Sequence, residues 1–248
     1  MSFSSTPGVS TGFASSVIFD LDGTLVDPAG AITGGIAAAL AAHRVPVPSQ
    51  QVLDSMVGPP LLTSLKALPG VTQENVASIM DHYRSSYLNS GMAASKVYPG
   101  IKELLQTLGE SGVSRAVATS KPEPLANRLL EIQGLAGLID SVHGSHPDET
   151  VPHSGKTEIV AAALSAVGAD GLDEHQRRDR VVMVGDRIFD VAGAHAHGLR
   201  CIGVTWGYAP DGELEAAGAD HLAADAAQLA DLLQQLLGLS SSLRSALA

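Results

Sequence analysis

The chain has one cysteine, few aromatic residues and a deficit of basic side chains. Because Cys201 is alone, a disulfide within the chain is excluded, which is consistent with a reducing, cytoplasmic location. Aromatic residues make up only 4% of a sequence that is 45% hydrophobic, so aliphatic side chains must fill its core. The net charge of −11 would repel a polyanion, and we therefore expect no nucleic acid as a partner.

Long apolar runs are also missing from the sequence. No run approaches the roughly 18 residues of a membrane span, so we expect no membrane partner. Residues 1–16 have no basic segment followed by an apolar one, and they are predicted to be a flexible leader rather than a secretory signal. Residues 241–248 are predicted to be a frayed tail.

Between these ends, strands and helices are predicted to alternate, with one helical interruption. The alternation beyond residue 96 predicts an α/β fold with a doubly wound parallel sheet. Residues 30–95 are typical of helices throughout, with breaks at Gly58-Pro59-Pro60 and Pro69-Gly70. We therefore predict a core domain of residues 17–29 and 96–240, and an inserted helical cap domain of residues 30–95.

Two aspartates, Asp20 and Asp22, follow the first short apolar run in the segment VIFDLDGTL. Side chains alternate along a strand, so both carboxylates are expected to project the same way from its carboxyl end. Two carboxylates placed together repel each other unless a cation or a shared proton compensates. Phosphate chemistry with a magnesium ion would account for such a pair.

Other polar residues end predicted strands or open the helix that follows them. They are Thr119, Ser120 and Lys121, then Lys156, and finally Asp186 and Asp190. The carboxyl ends of parallel strands meet at one edge of a sheet, where open α/β proteins bind their ligands. We therefore expect these side chains to converge with the two aspartates of the first strand.

Taken in order, FDLDGTL, VATSK, Lys156 and VGDRIFD closely resemble the motifs of the haloacid dehalogenase superfamily of aspartate-nucleophile phosphatases. The resemblance covers residues 17–210, and the helical insertion resembles the helical-cap branch of that superfamily. The segments VGPP, ATSKPEP and GVTWGY are similar to sequences of its phosphoglycolate-phosphatase-like group. The resemblance implies a magnesium-dependent phosphomonoester hydrolase acting on a small metabolite.

The resemblance also implies the roles of the acidic residues. Asp20 would be the nucleophile that forms an aspartyl-phosphate, and Asp22 would pass protons to the leaving alcohol and from the attacking water. The carboxylates of Asp20 and Asp186, with the main-chain carbonyl of Asp22, would hold Mg²⁺. Asp190 would be a further ligand or a support for the metal site.

The same resemblance implies a phosphate pocket and a substrate entrance. Thr119, Ser120 and Lys156 would bind the phosphoryl oxygens, and Lys121 would border the same pocket. In the cap, Gly58, Pro59 and Pro60 would line the substrate entrance as a rigid turn.

Several alternatives stay open at this point. The substrate is expected to be a small phosphate ester, with 2-phosphoglycolate as the named candidate and nucleoside monophosphates behind it. A sugar phosphomutase and phosphoryl transfer on a tyrosine phosphoprotein would use the same core chemistry. The protein is expected to be a monomer or a homodimer.

Three further features have alternative interpretations. Arg187 either pairs with a neighbouring acid or points into solvent. The spacing of His143, His146 and His153 fits solvated loop histidines, or one substrate contact, better than a zinc site. The segment Trp206-Gly207-Tyr208 is expected to be a packed strand end and turn.

Overall fold

The computed structural model describes residues 14–146, 155–239 and 243. Of the predicted leader and tail, only residues 14–16 and Leu243 fall within this range. Ser16 already belongs to the first strand, and Leu243 is buried against the core. None of the described helices is both long and apolar enough to cross a membrane.

The described residues form one large parallel sheet and one small antiparallel ribbon. The strands are β1 (Ser16–Phe19), β2 (Val26–Asp27), β3 (Lys96–Val97), β4 (Ser114–Pro122), β5 (Ser141–Ser145), β6 (Val181–Gly185), β7 (Arg200–Val204) and β8 (His221–Ala223). Six of them pair in parallel in the order β5-β4-β1-β6-β7-β8, whereas β2 and β3 pair antiparallel with each other. This order confirms the predicted doubly wound α/β fold.

The helices divide into two groups along the chain. Those before β3 are α1 (Ala31–Ala42), α2 (Gln50–Ser55), α3 (Leu61–Lys66), α4 (Val76–Ser86) and α5 (Met92–Ala94), with a π-helical turn at Tyr87–Gly91. Those after β3 are α6 (Ile101–Glu110), α7 (Glu123–Ile132), α8 (Lys156–Ala166), α9 (Glu174–Arg180), α10 (Ile188–His195), α11 (Glu213–Ala217) and α12 (Ala226–Leu237), with 3₁₀ turns at Ala136–Leu138 and Ala169–Gly171.

Apolar side chains cover both faces of the large sheet because the strand side chains alternate. Val17 and Phe19 of β1 pack in one cluster with residues of α6, α7 and α12, and Ile18 packs in a second cluster with residues of α8 and α10. All three side chains are fully buried. Burying a side chain of this kind contributes about 1.5–3 kcal/mol to stability. A strand buried on both faces appears in the sequence as an uninterrupted apolar run.

Residues 31–94, all of which are described, contain only helices and their connections. We refer to this segment as the cap. It leaves the core after β2 and returns at β3, where Val26 pairs with Val97 and Asp27 with Lys96. Its apolar residues Ile36, Leu40 and Ile79 belong to the same buried cluster as Phe19. The cap and the sheet therefore share one buried apolar cluster.

The strand register places the polar strand ends side by side. Phe19 of β1 lies next to Val117 of β4 on one side and next to Val184 of β6 on the other. Asp20 therefore follows the central strand. Thr119 of β4 and Asp186 after β6 each lie one residue beyond the position opposite Asp20. This is the edge at which the sequence predicts the site.

Candidate active site

Three aspartates from different elements form a buried acidic cluster. Asp20 follows β1, Asp186 follows β6, and Asp190 lies in the first turn of α10. Each offers a carboxylate oxygen, and these oxygens all lie within 4.8 Å of one another. Among the described residues this is the one group of acidic, histidine or cysteine side chains that could hold a metal ion.

Lys156, the first residue of α8, joins two members of this cluster. Its Nζ donates to Asp20 Oδ1 and to Asp190 Oδ1, at 2.6 Å in each case. The lysine side chain is only 7% exposed. Burial by itself lowers the pKa of Lys156, but Asp190 and Asp20 outweigh it and raise the pKa above its usual value. Lys156 is therefore a fixed positive charge beside Asp20.

Asp186 is held by the loops that follow β1 and β7. Its Oδ1 accepts a hydrogen bond from the Thr24 hydroxyl at 3.1 Å, and its Oδ2 accepts one from the main-chain N–H of Tyr208 at 2.8 Å. A Cβ added to Gly23 or Gly207 would overlap the Asp186 carboxylate, and Gly23 also has a positive φ of 87°. Burial, and then the charges of Asp20 and Asp190, raise the pKa of Asp186 well above its usual value.

The turn after β7 therefore has a part in the site that the sequence did not predict. Trp206-Gly207-Tyr208 does form a packed turn, with Trp206 Nε1 donating to the main-chain carbonyl of Thr24 at 3.2 Å. Its backbone also orients Asp186. The available signal was Gly207, three residues after the end of an apolar strand, because glycine is typical of close backbone approach.

Asp190 has both a structural and an electrostatic contact. Its Oδ2 accepts from the main-chain N–H of Arg187 at 2.9 Å, which supports the start of α10, while its Oδ1 accepts from Lys156. Burial raises the pKa of Asp190 to about 6, with Asp20 adding to the increase and Lys156 opposing it. A cation at the cluster would favour the charged form.

Asp22 and Asp20 line one cavity together. Its Oδ2 pairs with Lys121 Nζ at 2.9 Å, and its buried Oδ1 has no hydrogen-bond partner among the described residues. Burial raises the pKa of Asp22, although Lys121 opposes the increase. A carboxyl group of raised pKa with one oxygen left over is suited to carrying a proton.

The cap reaches Asp22 through Tyr87, a residue that the sequence did not indicate. Lys121 Nζ lies 3.0 Å from the Tyr87 hydroxyl and 4.3 Å from the centre of its ring. Tyr87 is buried and stacks on Tyr83 with 5.8 Å between the ring centres. The available signal was the spacing of the two tyrosines, four residues apart and so on one helix face.

The cavity lies between the cap and the ends of β1 and β4. Thr119 and Ser120, which the sequence predicts to bind phosphate, line it from the core, and the Thr119 Oγ1 accepts from the main-chain N–H of Lys121 at 3.2 Å. Gly58 and Pro59 line it from the cap. Pro60 precedes α3 and does not belong to the described lining residues.

Of the three histidines that suggested a zinc alternative, the two that are described, His143 and His146, take no part in the acidic cluster. His143 lies on β5, with its Nε2 3.2 Å from the Ser141 hydroxyl. His153 lies outside the described residues. Burial lowers the pKa of His143.

The charges of the site leave room for a divalent cation. Four carboxylates, from Asp20, Asp22, Asp186 and Asp190, are matched by two ammonium groups, from Lys121 and Lys156. With all four carboxylates ionised, the buried net charge would be two negative units, which is costly unless it is compensated. Carboxylate oxygens are the donors that Mg²⁺ prefers. The residues present therefore fit a magnesium ion.

Comparison with known proteins gives the class of the molecule. A 5'-nucleotidase of Pseudomonas aeruginosa is 34% identical over 218 residues, which are 88% of this chain and 95% of the relative. Tyrosine-protein kinase PtkA of Mycobacterium tuberculosis is 38% identical over 192 residues, 77% of this chain and 62% of the kinase. The crystal structure of a predicted phosphatase from Clostridium acetobutylicum matches with a TM-score of 0.78 and 34% identity, over 92% of this chain and all of that one.

The fold, the nucleotidase and the predicted phosphatase define an enzyme of the phosphatase class. The sequence pattern of the haloacid dehalogenase-like hydrolases matches residues 17–204, and the chain belongs to that family. The predicted family, fold class and enzyme class are thereby confirmed.

Proposed function

We propose that the protein hydrolyses a small phosphate monoester through an aspartyl-phosphate formed on Asp20, with Mg²⁺ as its cofactor. The observation that supports this most is the position of Asp20. It shares a cavity with Asp22, contacts Lys156 at 2.6 Å, and lies within the acidic cluster of Asp186 and Asp190.

In the first step a carboxylate oxygen of Asp20 attacks phosphorus, and the bond from phosphorus to the ester oxygen breaks. Asp22 donates its proton to the departing alcohol. Its raised pKa and its unpartnered Oδ1 support this role. In the second step Asp22 takes a proton from water, the water oxygen attacks the aspartyl-phosphate, and inorganic phosphate leaves with Asp20 restored.

The phosphoryl oxygens would be bound by the Thr119 hydroxyl, by Ser120 and by Lys156. Fixed donors and a fixed positive charge stabilise the negative charge that develops during phosphoryl transfer. Bound Mg²⁺ would supply further charge neutralisation. Asp20, Asp186 and the main-chain carbonyl of Asp22 would hold it, with Asp190 as a further ligand or as a support that acts through Lys156.

Residues 30–95 would act as a cap domain over a core of residues 17–29 and 96–240, excluding water from the reacting atoms. Gly58 and Pro59 would contact the substrate from this side. The phosphate pocket is thus assigned to the core, and the choice of ester to the cap.

A nucleoside monophosphate is the leading candidate substrate. The cap side of the cavity is largely apolar, with Met56, Val57 and the stacked pair Tyr83 and Tyr87, which suits the planar base of a nucleoside. The relationship to a 5'-nucleotidase supports the same class. The alternative, 2-phosphoglycolate, would need a cation for its carboxylate; Lys121 is already paired with Asp22, which leaves Arg84 as the other cation lining the cavity.

The test is phosphate release from a panel of esters, each with and without Mg²⁺. The panel contains nucleoside monophosphates, 2-phosphoglycolate, a hexose 1-phosphate and a phosphotyrosine peptide. We expect magnesium-dependent release by the wild type and none by Asp20→Asn, with Asp81→Asn, an exposed aspartate of α4, as the isosteric control.

Other outcomes would identify another activity. Conversion of the hexose 1-phosphate into an isomer without free phosphate would indicate a mutase. Transfer from ATP to a tyrosine peptide would indicate a kinase of the kind that the name of one relative describes. Equal phosphate release by Asp20→Asn and wild type would refute the proposed nucleophile.

A further inference from the structure

Arg187 directly follows Asp186, yet its side chain is directed at neither solvent nor the adjacent aspartates. It is only 5% exposed, which rules out the solvent alternative considered from the sequence. Its ion-pair partner is Glu213, at the start of α11. Its Cζ also lies 5.7 Å from the centre of the Phe189 ring, and its other contacts are with the cap, so one side chain connects three segments.

On the core side, the guanidinium is anchored by two nitrogens. Nε donates to Glu213 Oε1 at 2.8 Å, and Nη2 lies 3.4 Å from Oε2. The same Glu213 Oε1 accepts from the main-chain N–H of Ile188 at 3.0 Å. A forked contact between a guanidinium and a carboxylate fixes the direction as well as the position of the arginine.

On the cap side, Nη1 donates to the main-chain carbonyl of Val57 and lies 3.5 Å from that of Ser55. These carbonyls lie at the end of α2, where the last peptide oxygens of a helix lack partners within the helix. A cation there is favourable because the carbonyl dipoles point at it. Arg187 therefore supplies, from the core, a positively charged hydrogen-bond donor to the carbonyls at the carboxyl end of α2.

Gly58 shows how closely the cap turn lies on this arginine. A Cβ on Gly58 would lie 2.9 Å from Arg187 Cγ, and its φ of 105° is itself unfavourable for other residues. Gly58 and Pro59 also line the cavity that contains Asp20. The turn held by Arg187 is thus one of the parts of the cap that line the cavity of the nucleophile.

We propose that Arg187 is a positioning residue that fastens the cap turn of residues 55–58 to the loop carrying Asp186. To admit substrate, the cap releases the bonds from Arg187 to the Val57 and Ser55 carbonyls, while the forked contact with Glu213 keeps the guanidinium in place for reclosure. The proposal rests on the proposed function in one respect, that the cavity beneath this turn receives the ester.

The experiment measures two quantities in the full-length protein, hydrogen exchange of residues 55–61 and the separate values of kcat and KM. The variants are Arg187→Ala, Arg187→Lys and Glu213→Gln. The matched control is Arg115→Ala, because Arg115 also joins a carboxylate, Asp140 at 2.8 Å, to a main-chain carbonyl, Leu105 at 3.1 Å, but does so within the core.

We expect faster exchange of residues 55–61 in Arg187→Ala, together with an increase in KM of about tenfold, the equivalent of one charge-assisted hydrogen bond. Arg187→Lys should show both effects to a smaller extent than Arg187→Ala. An ammonium group keeps the positive charge but cannot bind the carboxylate and the carbonyl with one rigid fork. Glu213→Gln should give a smaller change in the same direction. Arg115→Ala should leave both quantities as in the wild type.

Unchanged exchange of residues 55–61 in folded Arg187→Ala would overturn the proposal, and so would a fall in kcat with KM unchanged. If Arg187→Ala does not fold, the Arg187→Lys and Glu213→Gln variants decide by the same two measurements. Failure of the proposed function would give a different result, because the wild type would then release phosphate from no ester. The exchange measurements would still report on the contact between Arg187 and the cap turn.

Discussion

Replacing Lys156 with alanine is the most informative perturbation of the site. Lys156 is the one described cation that touches Asp20 and Asp190 together, at 2.6 Å from each. The side chains involved are 7%, 4% and 2% exposed, so water cannot take over its role without rearrangement. The variant leaves two enclosed carboxylates without their common partner.

The size of the effect follows from this enclosure. Removing one partner of a buried ion pair costs about 3–5 kcal/mol. For a chain of this size, each kcal/mol shifts Tm by about 2–4 °C, so a fall of roughly 6–20 °C is expected in metal-free Lys156→Ala. Activity should fall in addition. Loss of one donor to a developing oxyanion lowers kcat by about 10²–10³, and KM should rise because the lysine meets charge in both states.

The assay is thermal unfolding followed by circular dichroism, together with steady-state phosphate release. Lys102→Ala, at an exposed position of α6, controls for the loss of a lysine as such. Adding Mg²⁺ should recover part of the lost Tm but little of the lost kcat. The reasoning would be refuted by a Tm within about 2 °C of the wild type, since that lies below the smallest shift worked out above.

Three further predictions concern other parts of the site. The pKa of Asp190 rises from 3.8 to about 6 in the metal-free fold, so the folded chain binds this proton more tightly than the unfolded chain does. The resulting stability is fully present below about pH 3.8 and is lost as the pH rises through about 6. Calorimetry should therefore show Mg²⁺ raising Tm more at about pH 8 than at about pH 5, and no such difference would contradict the metal assignment. Tyr87→Phe, which keeps the ring but loses the 3.0 Å contact with Lys121, should lower kcat/KM about tenfold with a Tm change of only a few degrees. Gly23→Ala should unfold at a lower temperature and weaken Mg²⁺ binding in calorimetric titration, because its Cβ would overlap the Asp186 carboxylate.

The central strands and their acidic ends could be predicted because each is a local pattern. β1 and β6 are buried on both faces, so they appear as short apolar runs, and each run ends at an aspartate. The rule that parallel strands present ligands at their carboxyl ends then brings Asp20 and Asp186 together without knowledge of the packing.

The elements that the sequence did not predict are short or polar. α9 has the sequence EHQRRDR, which contains no apolar residue to show a helical period. Its one local signal was Asp173, whose carboxylate accepts from the Gln176 N–H at 2.8 Å in a capping box. β8 and α11 have three and five residues, which is too short for a period to be recognised.

The contacts of Tyr87 and Arg187 could not be predicted for a different reason. Each depends on how the cap lies on the core, and residues 34 and 130 positions apart meet in these contacts. Such long-range packing leaves no trace in the local pattern of either segment. The chemistry of the strand ends was therefore predictable, and their connection to the cap was not.

The pairing of β2 with β3 has a consequence for the evolution of this enzyme. The cap enters and leaves the core through two adjacent, hydrogen-bonded strands, with Val26 beside Val97. A segment bounded in this way can be exchanged, lengthened or shortened without altering the register of β1, β4 and β6. Recombination between these two strands would therefore replace the cap and leave Asp20, Thr119 and Asp186 in place.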